Sequence, residues 1–185
     1  MAQITKAVFI TMAASVFALP PGRSDAKHQL VHGVTDAFKT LRAFPYAMAI
    51  YDADADGELN CVYAVRTDFS DEPLQATYVL LVNGIGGRQP RNITYRIKPG
   101  PSADVTSFTI DDDYDNVHEC HFDYTDYKNC VILEFLFEGG QDCLLWITKE
   151  ALADIPEECM RQYVDTCDQV VESYDEETCD ASVGA

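Results

Sequence analysis

Five of the chain's seven cysteines fall between Cys130 and Cys179, and that spacing constrains the fold more than any other feature. Cys130, Cys143, Cys159, Cys167 and Cys179 share this stretch with the only tryptophan, Trp146, and with a Pro-Glu-Glu helix start at Pro156. Two apolar, strand-like runs lead into a helix ringed with thiols. In a secreted chain such a pattern is a disulfide framework that fastens a helix to the wall of a β-structure. An odd cysteine count leaves at least one thiol outside any bridge within the chain. Spacing alone does not set the pairing.

The N-terminus supports secretion. Lys6 precedes the apolar run from Ala7 to Leu19, which Pro20, Pro21 and Gly22 break. Ser24-Asp25-Ala26 then offers small residues at the recognition positions of a cleavage site. Residues 1–26 are therefore read as a signal peptide and 27–185 as one domain, long enough to bury a core. The apolar run is too short to span a bilayer comfortably. Formal net charge is −18. Such a surface repels nucleic acid and anionic membranes, so neither is expected as a partner.

The body of the domain reads as β-structure. Val34 to Leu41 suggests a short helix, with Thr35 as cap and Val34, Phe38 and Leu41 on one face. Eight β-type segments follow: 44–51, 61–67, 76–83, 92–98, 105–110, 120–124, 129–137 and 143–148. Loops rich in Asp, Gly, Pro and Asn separate them, including Gly84-Ile85-Gly86-Gly87, read as a hairpin turn. Eight short strands without interleaved helices predict an all-β fold, an eight-stranded antiparallel barrel wide enough for one small ligand. After Pro156 a helix is expected, with Cys159, Met160, Tyr163, Val164 and Cys167 facing the barrel. Residues 168–185 are left as a tail.

One strand can be oriented. Asn92-Ile93-Thr94 is an N-glycosylation sequon, so Asn92 faces solvent if it carries a glycan. Alternation then sends Thr94, Arg96 and Lys98 outward, and Ile93, Tyr95 and Ile97 into the barrel. The same rule puts Val131, Leu133, Phe135 and Phe137 on one face of the seventh strand.

These residues resemble the salivary lipocalins of ticks, the histamine-binding protein family. The resemblance starts at Asp36-Ala37-Phe38-Lys39-Thr40-Leu41 and runs to Cys179. Its most specific part is Cys130, Cys-Leu-Leu-Trp at 143–146, Ile155-Pro156-Glu157-Glu158-Cys159, Cys167 and Cys179. The resemblance implies a disulfide-stapled barrel with a short N-terminal helix and a C-terminal helix, a secretion signal, and sequestration of a host mediator in the barrel. That mediator is a biogenic amine of the histamine or serotonin type, or a leukotriene or fatty-acid lipid. It also implies the pairs Cys61–Cys179 and Cys130–Cys159, leaving Cys143–Cys167 as the economical third bridge and Cys120 free. The Val131 face, with Leu144 and Trp146, would line the pocket. The family's amine motif asks for Asp after the first cysteine and Glu before Leu-Trp. Here Val131 and Leu144 stand at those positions, so both ammonium-pairing carboxylates are replaced by apolar side chains.

Other chemistries find less support. Asp52-Ala53-Asp54-Ala55-Asp56-Gly57 copies the first half of a calcium loop, but Tyr63 falls where a bidentate Glu is required. His118-Glu119-Cys120-His121 suggests zinc, yet alternation places His118 and Cys120 on one face and His121 on the other. No metal, cofactor or catalytic residue is assigned, and no nucleophile motif appears, so the chain is read as a binder, not an enzyme. The alternative is a protein-interaction module that meets a host defence protein through its acidic surface.

Overall fold

A computed structural model describes residues 30, 32–53, 59–83, 89–137, 140–167 and 169–182. Residues 1–26, read from the sequence as a signal peptide, and residues 54–57 and 84–87, read as turns, lie outside the described residues. Helix α1 (Ala37–Ala43) is followed by strands β1 (Tyr46–Asp52), β2 (Val62–Asp71), β3 (Leu74–Val82), β4 (Arg91–Pro99), β5 (Val105–Ile110), β6 (Asp113–Thr125), β7 (Cys130–Phe137) and β8 (Gly140–Ile147). Then come helix α2 (Glu157–Thr166), the two-residue strand β9 (Val171–Glu172) and helix α3 (Glu176–Ser182). Sequential strands from β1 to β8 pair antiparallel, and β1 pairs with both β8 and β2, which closes the eight-stranded barrel. Closure removes the free edges that an open sheet would expose.

Alternation along the strands divides the apolar residues into two cores. Inner positions, such as Val131, Phe135, Leu144 and Trp146, share one cluster inside the barrel. Outer positions on the same two strands, Cys130, Ile132, Cys143, Leu145 and Ile147, share a second cluster with Cys159, Tyr163, Cys167 and Cys179. A hydrogen-bonded turn feeds this wall. The Asp126 carboxylate accepts from the backbone N–H groups of Lys128, Asn129 and Cys130. At the β4–β5 turn, a Cβ on Gly100 would lie 2.5 Å from the Val105 carbonyl oxygen, so the close approach needs glycine.

Helix α1 contributes Ala37 and Leu41 to the inner core, and Phe44 at its C-terminal cap adds a third. Tyr78 donates its hydroxyl hydrogen to the Leu41 and Phe44 carbonyls at 2.8 and 2.6 Å. The Arg66 guanidinium donates to the Leu41 and Arg42 carbonyls, satisfying C-terminal acceptors of the helix. One end of the barrel is thus plugged and pinned.

Several local expectations change. Helix α1 is capped by Asp36, whose carboxylate accepts from the Lys39 N–H. Thr35 instead donates to the Asp123 carbonyl, and Val34 is 77% exposed. Cys61 precedes β2 with a positive φ of 54° instead of starting the strand. Strand β6 begins at Asp113, not Cys120. Its first residues are exposed and polar, so they carry no alternation; pairing of Asp113 with Ile110 extends the ladder. On α2 the buried face holds Cys159, Gln162, Tyr163 and Thr166, while Val164 is 59% exposed. Cys159, Gln162, Tyr163 and Thr166 follow the i, i+3, i+4, i+7 spacing of one helical face, whereas Val164 falls about 140° around the helix from Cys159 and so lies off it. The tail is structured: β9 pairs with the end of β1, and Ser173 accepts from the Cys61 N–H.

Candidate ligand cavity in the barrel

The inner core is not solid. A cavity of ≈ 90 Å³ lies within it. Its floor is α1, through Thr40, Leu41 and Phe44; its walls include Ala47, Ala64, Tyr78, Tyr95, Phe108, Phe122 and Trp146. None of the described residues lining it carries a charged side chain. Among the inner positions expected from sequence, Tyr95, Ile97, Val131, Leu133, Phe135 and Trp146 border the cavity. Ile93 and Leu144 belong to the same inner core but do not border it; Leu144 is fully buried. Phe137 is part of β7, and its side chain lies outside the described residues. Asn92 is exposed at the start of β4.

Sequence reasoning missed the contributions of Tyr78, Thr106, Phe108, Cys120 and Phe122. Each sits at an inward position, but only strands four and seven had been oriented. The odd cysteine count was the one signal available for Cys120. This residue is a buried free thiol bordering the cavity. Burial pushes its pKa up, nearby Asp123 adds to that, and Thr106 opposes it by hydrogen bonding. A thiol held protonated in this way is a small apolar wall element, not a nucleophile.

Aromatic rings form one wall. Tyr95 lies 5.2 Å from Phe108 and 6.1 Å from Phe135, and Phe108 lies 5.5 Å from His118. His118 is therefore engaged in ring contacts, while His121 is exposed and separated from it by the sheet. Tyr63, placed by the calcium-loop reading at a ligand position, is buried in the outer core against Tyr174. Asp126 approaches Cys130 and Cys159 closely, but both sulfurs are consumed in a disulfide.

Two buried acids sit at inward register positions toward the end opposite α1. Asp142 is paired across from Phe135, and Asp52 across from Leu144. Neither borders the cavity, and both engage other groups of the protein. Asp142 is close enough to Tyr95 to help raise its pKa, behind the larger effects of burial and of Cys120.

Outside the barrel the six remaining cysteines close three disulfides. Cys61–Cys179, Cys130–Cys159 and Cys143–Cys167 have Cα–Cα separations of 5.2, 6.2 and 5.8 Å. They tie α3 to the start of β2, and tie the first turn and the end of α2 to β7 and β8.

The family model for tick histamine binding protein matches residues 26–181. The chain belongs to that family. Search of curated proteins finds no match. Among solved structures, the chain is similar to AM182 in its serotonin complex, with a TM-score of 0.56 and 15% identity, covering 78% of this chain and 92% of that one. It is also similar to Japanin from Rhipicephalus appendiculatus bound to cholesterol, with a TM-score of 0.54 and 15% identity, over 80% of this chain and all of Japanin. Lobster apocrustacyanin A1 matches at a TM-score of 0.56 and 12% identity, over 81% of this chain and 92% of that one. At these identities the likeness is one of fold. The family and these tick relatives are binders of small molecules by description, and no helix among the described residues is long and apolar enough to cross a membrane.

Proposed function

We propose that this protein is a secreted salivary lipocalin that sequesters a small host mediator in its barrel, a biogenic amine or a lipid mediator. The observation that carries the reading is the apolar cavity between α1 and the inner faces of the strands. Inner side chains large enough to fill it are present, yet space remains. Family membership and the serotonin and cholesterol complexes of its structural neighbours support a small molecule as the occupant. The cavity is below the usual range of roughly 300–1,000 Å³ for ligand sites, which favours a compact mediator.

The reading includes removal of residues 1–26 and an extracellular destination, where three disulfides are stable. It also includes a glycan on exposed Asn92. Mass spectrometry of protein secreted from insect cells checks both; an intact leader or an unmodified Asn92 would remove that part.

Calorimetric and fluorescence titration with histamine, serotonin, leukotrienes and cholesterol tests the central reading, because Trp146 borders the cavity and should be quenched by an occupant. No binding below the high-micromolar range by any of them would leave the barrel reading without support. The second reading, docking of a host defence protein, draws on the β5–β6 arm. There Tyr114 and Val117 are 60% and 62% exposed among Asp112, Asp113 and Asp115. Stoichiometric recovery of one plasma protein by a chain whose barrel stays empty would favour it.

A further inference from the structure

We infer that the barrel takes a bare hydrocarbon group, about the size of one six-membered ring, held by no polar anchor, and that it rejects amines. The inference rests on the barrel being the ligand site and narrows the class of ligand.

The wall contains polar residues but presents carbon. Thr40, Tyr78, Tyr95, Thr106, Cys120 and Trp146 all border the cavity, yet its surface is apolar almost throughout. Each polar atom is turned elsewhere or sealed. Thr40 donates to the Asp36 carbonyl at 2.8 Å, and Tyr78 donates to the Leu41 and Phe44 carbonyls. Tyr95 Oη, Thr106 Oγ1 and Trp146 Nε1 are themselves buried among their neighbours, out of reach of an occupant. Cys120 is a buried free thiol that burial keeps protonated, and such a thiol packs as a small apolar group.

Such a void has nothing to hold a water, which needs about two to four polar partners. Apolar cavities of about 150 Å³ stay dry and accept benzene. The ≈ 90 Å³ here is of that order. A hydrocarbon that enters is removed from water and leaves no hydrogen bond unmade. A hydroxyl or a neutral amine loses its water partners and finds none in return. An ammonium fares worse, because Val131 and Leu144 stand at the two motif positions for its counter-charges, and its desolvation has nothing to offset it. Asp52 and Asp142 do not border the cavity and already engage the protein. An ionised carboxylate meets the same objection, because no described residue bordering the cavity is cationic. Selectivity therefore runs against polarity, the reverse of what a family described by histamine binding would suggest.

A bare hydrocarbon group has two sources: a small free hydrocarbon, or the apolar end of a lipid whose head stays outside. Calorimetric titrations of the intact, disulfide-bonded protein with toluene, phenol, benzylamine and decanoate test the inference and separate the sources. Phenol and benzylamine add a hydroxyl and a cation to the ring that toluene presents bare. Toluene is expected to bind at least about tenfold tighter than phenol, the scale of burying an unpaired hydroxyl. Benzylamine is expected to be weakest. Decanoate binding tighter than toluene assigns the site to the end of a lipid, and the opposite order to a free hydrocarbon. Val131→Thr keeps the shape of a cavity side chain and adds a hydroxyl, so the toluene-to-phenol ratio should narrow to within about threefold. Should that variant fail to fold, the comparison on the unaltered protein decides alone. Phenol binding as tightly as toluene would overturn the inference while leaving the barrel as the site. Benzylamine binding tightest would overturn it in favour of the buried aspartates. Failure of all four probes while the mediator panel binds would overturn the inference alone; failure of both would sink the barrel reading with it.

Discussion

Adjacent residues of β7 and β8 belong to two different materials. On the outer side Cys130, Ile132, Cys143, Leu145 and Ile147 pack against α2 and are fastened to it by disulfides. On the inner side Val131, Leu133, Phe135 and Trp146 face a void and carry no covalent tie. The same two strands thus present a stapled face and a hollow face. A closed barrel with a hole in it lacks the packing density of a solid core. The outer layer of helix, tail and disulfides supplies stability in its place, which leaves the inside available for a ligand. Mutations on the two faces should therefore fail differently.

The largest effect belongs to the outer face. Cys61→Ser with Cys179→Ser removes the bridge with the longest sequence separation, 118 residues. About 4–5 kcal/mol should be lost, because long loops lose most on release in the chain-entropy view. Thermal unfolding measures it; a loss below that of the shorter Cys143–Cys167 bridge would argue that the tail is not a structural part of the domain.

Neighbouring residues give the next test. Ile132 is fully buried against α2, whereas Leu133 borders the cavity and is half-buried. Ile132→Ala should cost about 3–4 kcal/mol, and Leu133→Ala about half of that, since the latter enlarges a space that already exists. Denaturant unfolding of both variants checks the order. Equal costs would mean the inner face is packed as tightly as the outer.

Restoring the motif acids probes the inside directly. Val131→Asp with Leu144→Glu should cost about 2 kcal/mol or more in the empty protein, by burying acids without a cation. Amine affinity should rise roughly tenfold, because close charge pairs in a buried site are worth that much or more. Histamine calorimetry on both proteins reads it. A folded double variant with unchanged affinity would show that these two positions do not face a bound amine.

The smallest effect lies at the turn that feeds β7. Burial raises the Asp126 pKa, but backbone hydrogen bonds from Asn129, Cys130 and Lys128 outweigh it and hold the carboxyl below its ordinary range. A lowered folded pKa means stability that is present above the unfolded value, near pH 4, and lost as pH falls through the folded one. Asp126→Ala should cost about 1 kcal/mol at neutral pH, as loss of a capping side chain does, and should flatten the acid limb of the stability curve. An unchanged acid limb would place that limb's origin elsewhere.

Much of this architecture was legible in the chain. Strand alternation gave an inner and an outer set on β4 and β7, and turn residues marked the hairpins, because barrel strands alternate and their loops need Gly, Pro and Asp. The early half of β6 was not legible, since an exposed strand end of Asp, Tyr and Asn has no apolar face. Neither was the buried face of α2. Gln162 and Thr166 are inside because they share the helical stripe of Cys159 and Tyr163, where their polar side chains gave no apolar signal, and Val164 lies off that stripe. The plug formed by α1 was invisible for a different reason. It depends on Tyr78 and Arg66 reaching carbonyls far away in sequence. Of the site, inward-facing side chains could be counted from sequence, but not the volume they leave unfilled.

Filling that volume tests the central claim most directly. Ala47 and Ala64 are cross-strand partners that both border the cavity. Ala64→Phe places a ring where the ligand would sit, with Ala47→Leu as a milder version should the larger side chain disturb folding. The measurement is the dissociation constant of the tightest member of the mediator and probe panel, on the unaltered protein and on the filled variant. With the fold retained, as judged by thermal unfolding, binding should weaken at least about tenfold, the scale of a ligand losing its apolar contacts. Unchanged affinity in a folded, filled barrel would place the ligand outside it and contradict the account.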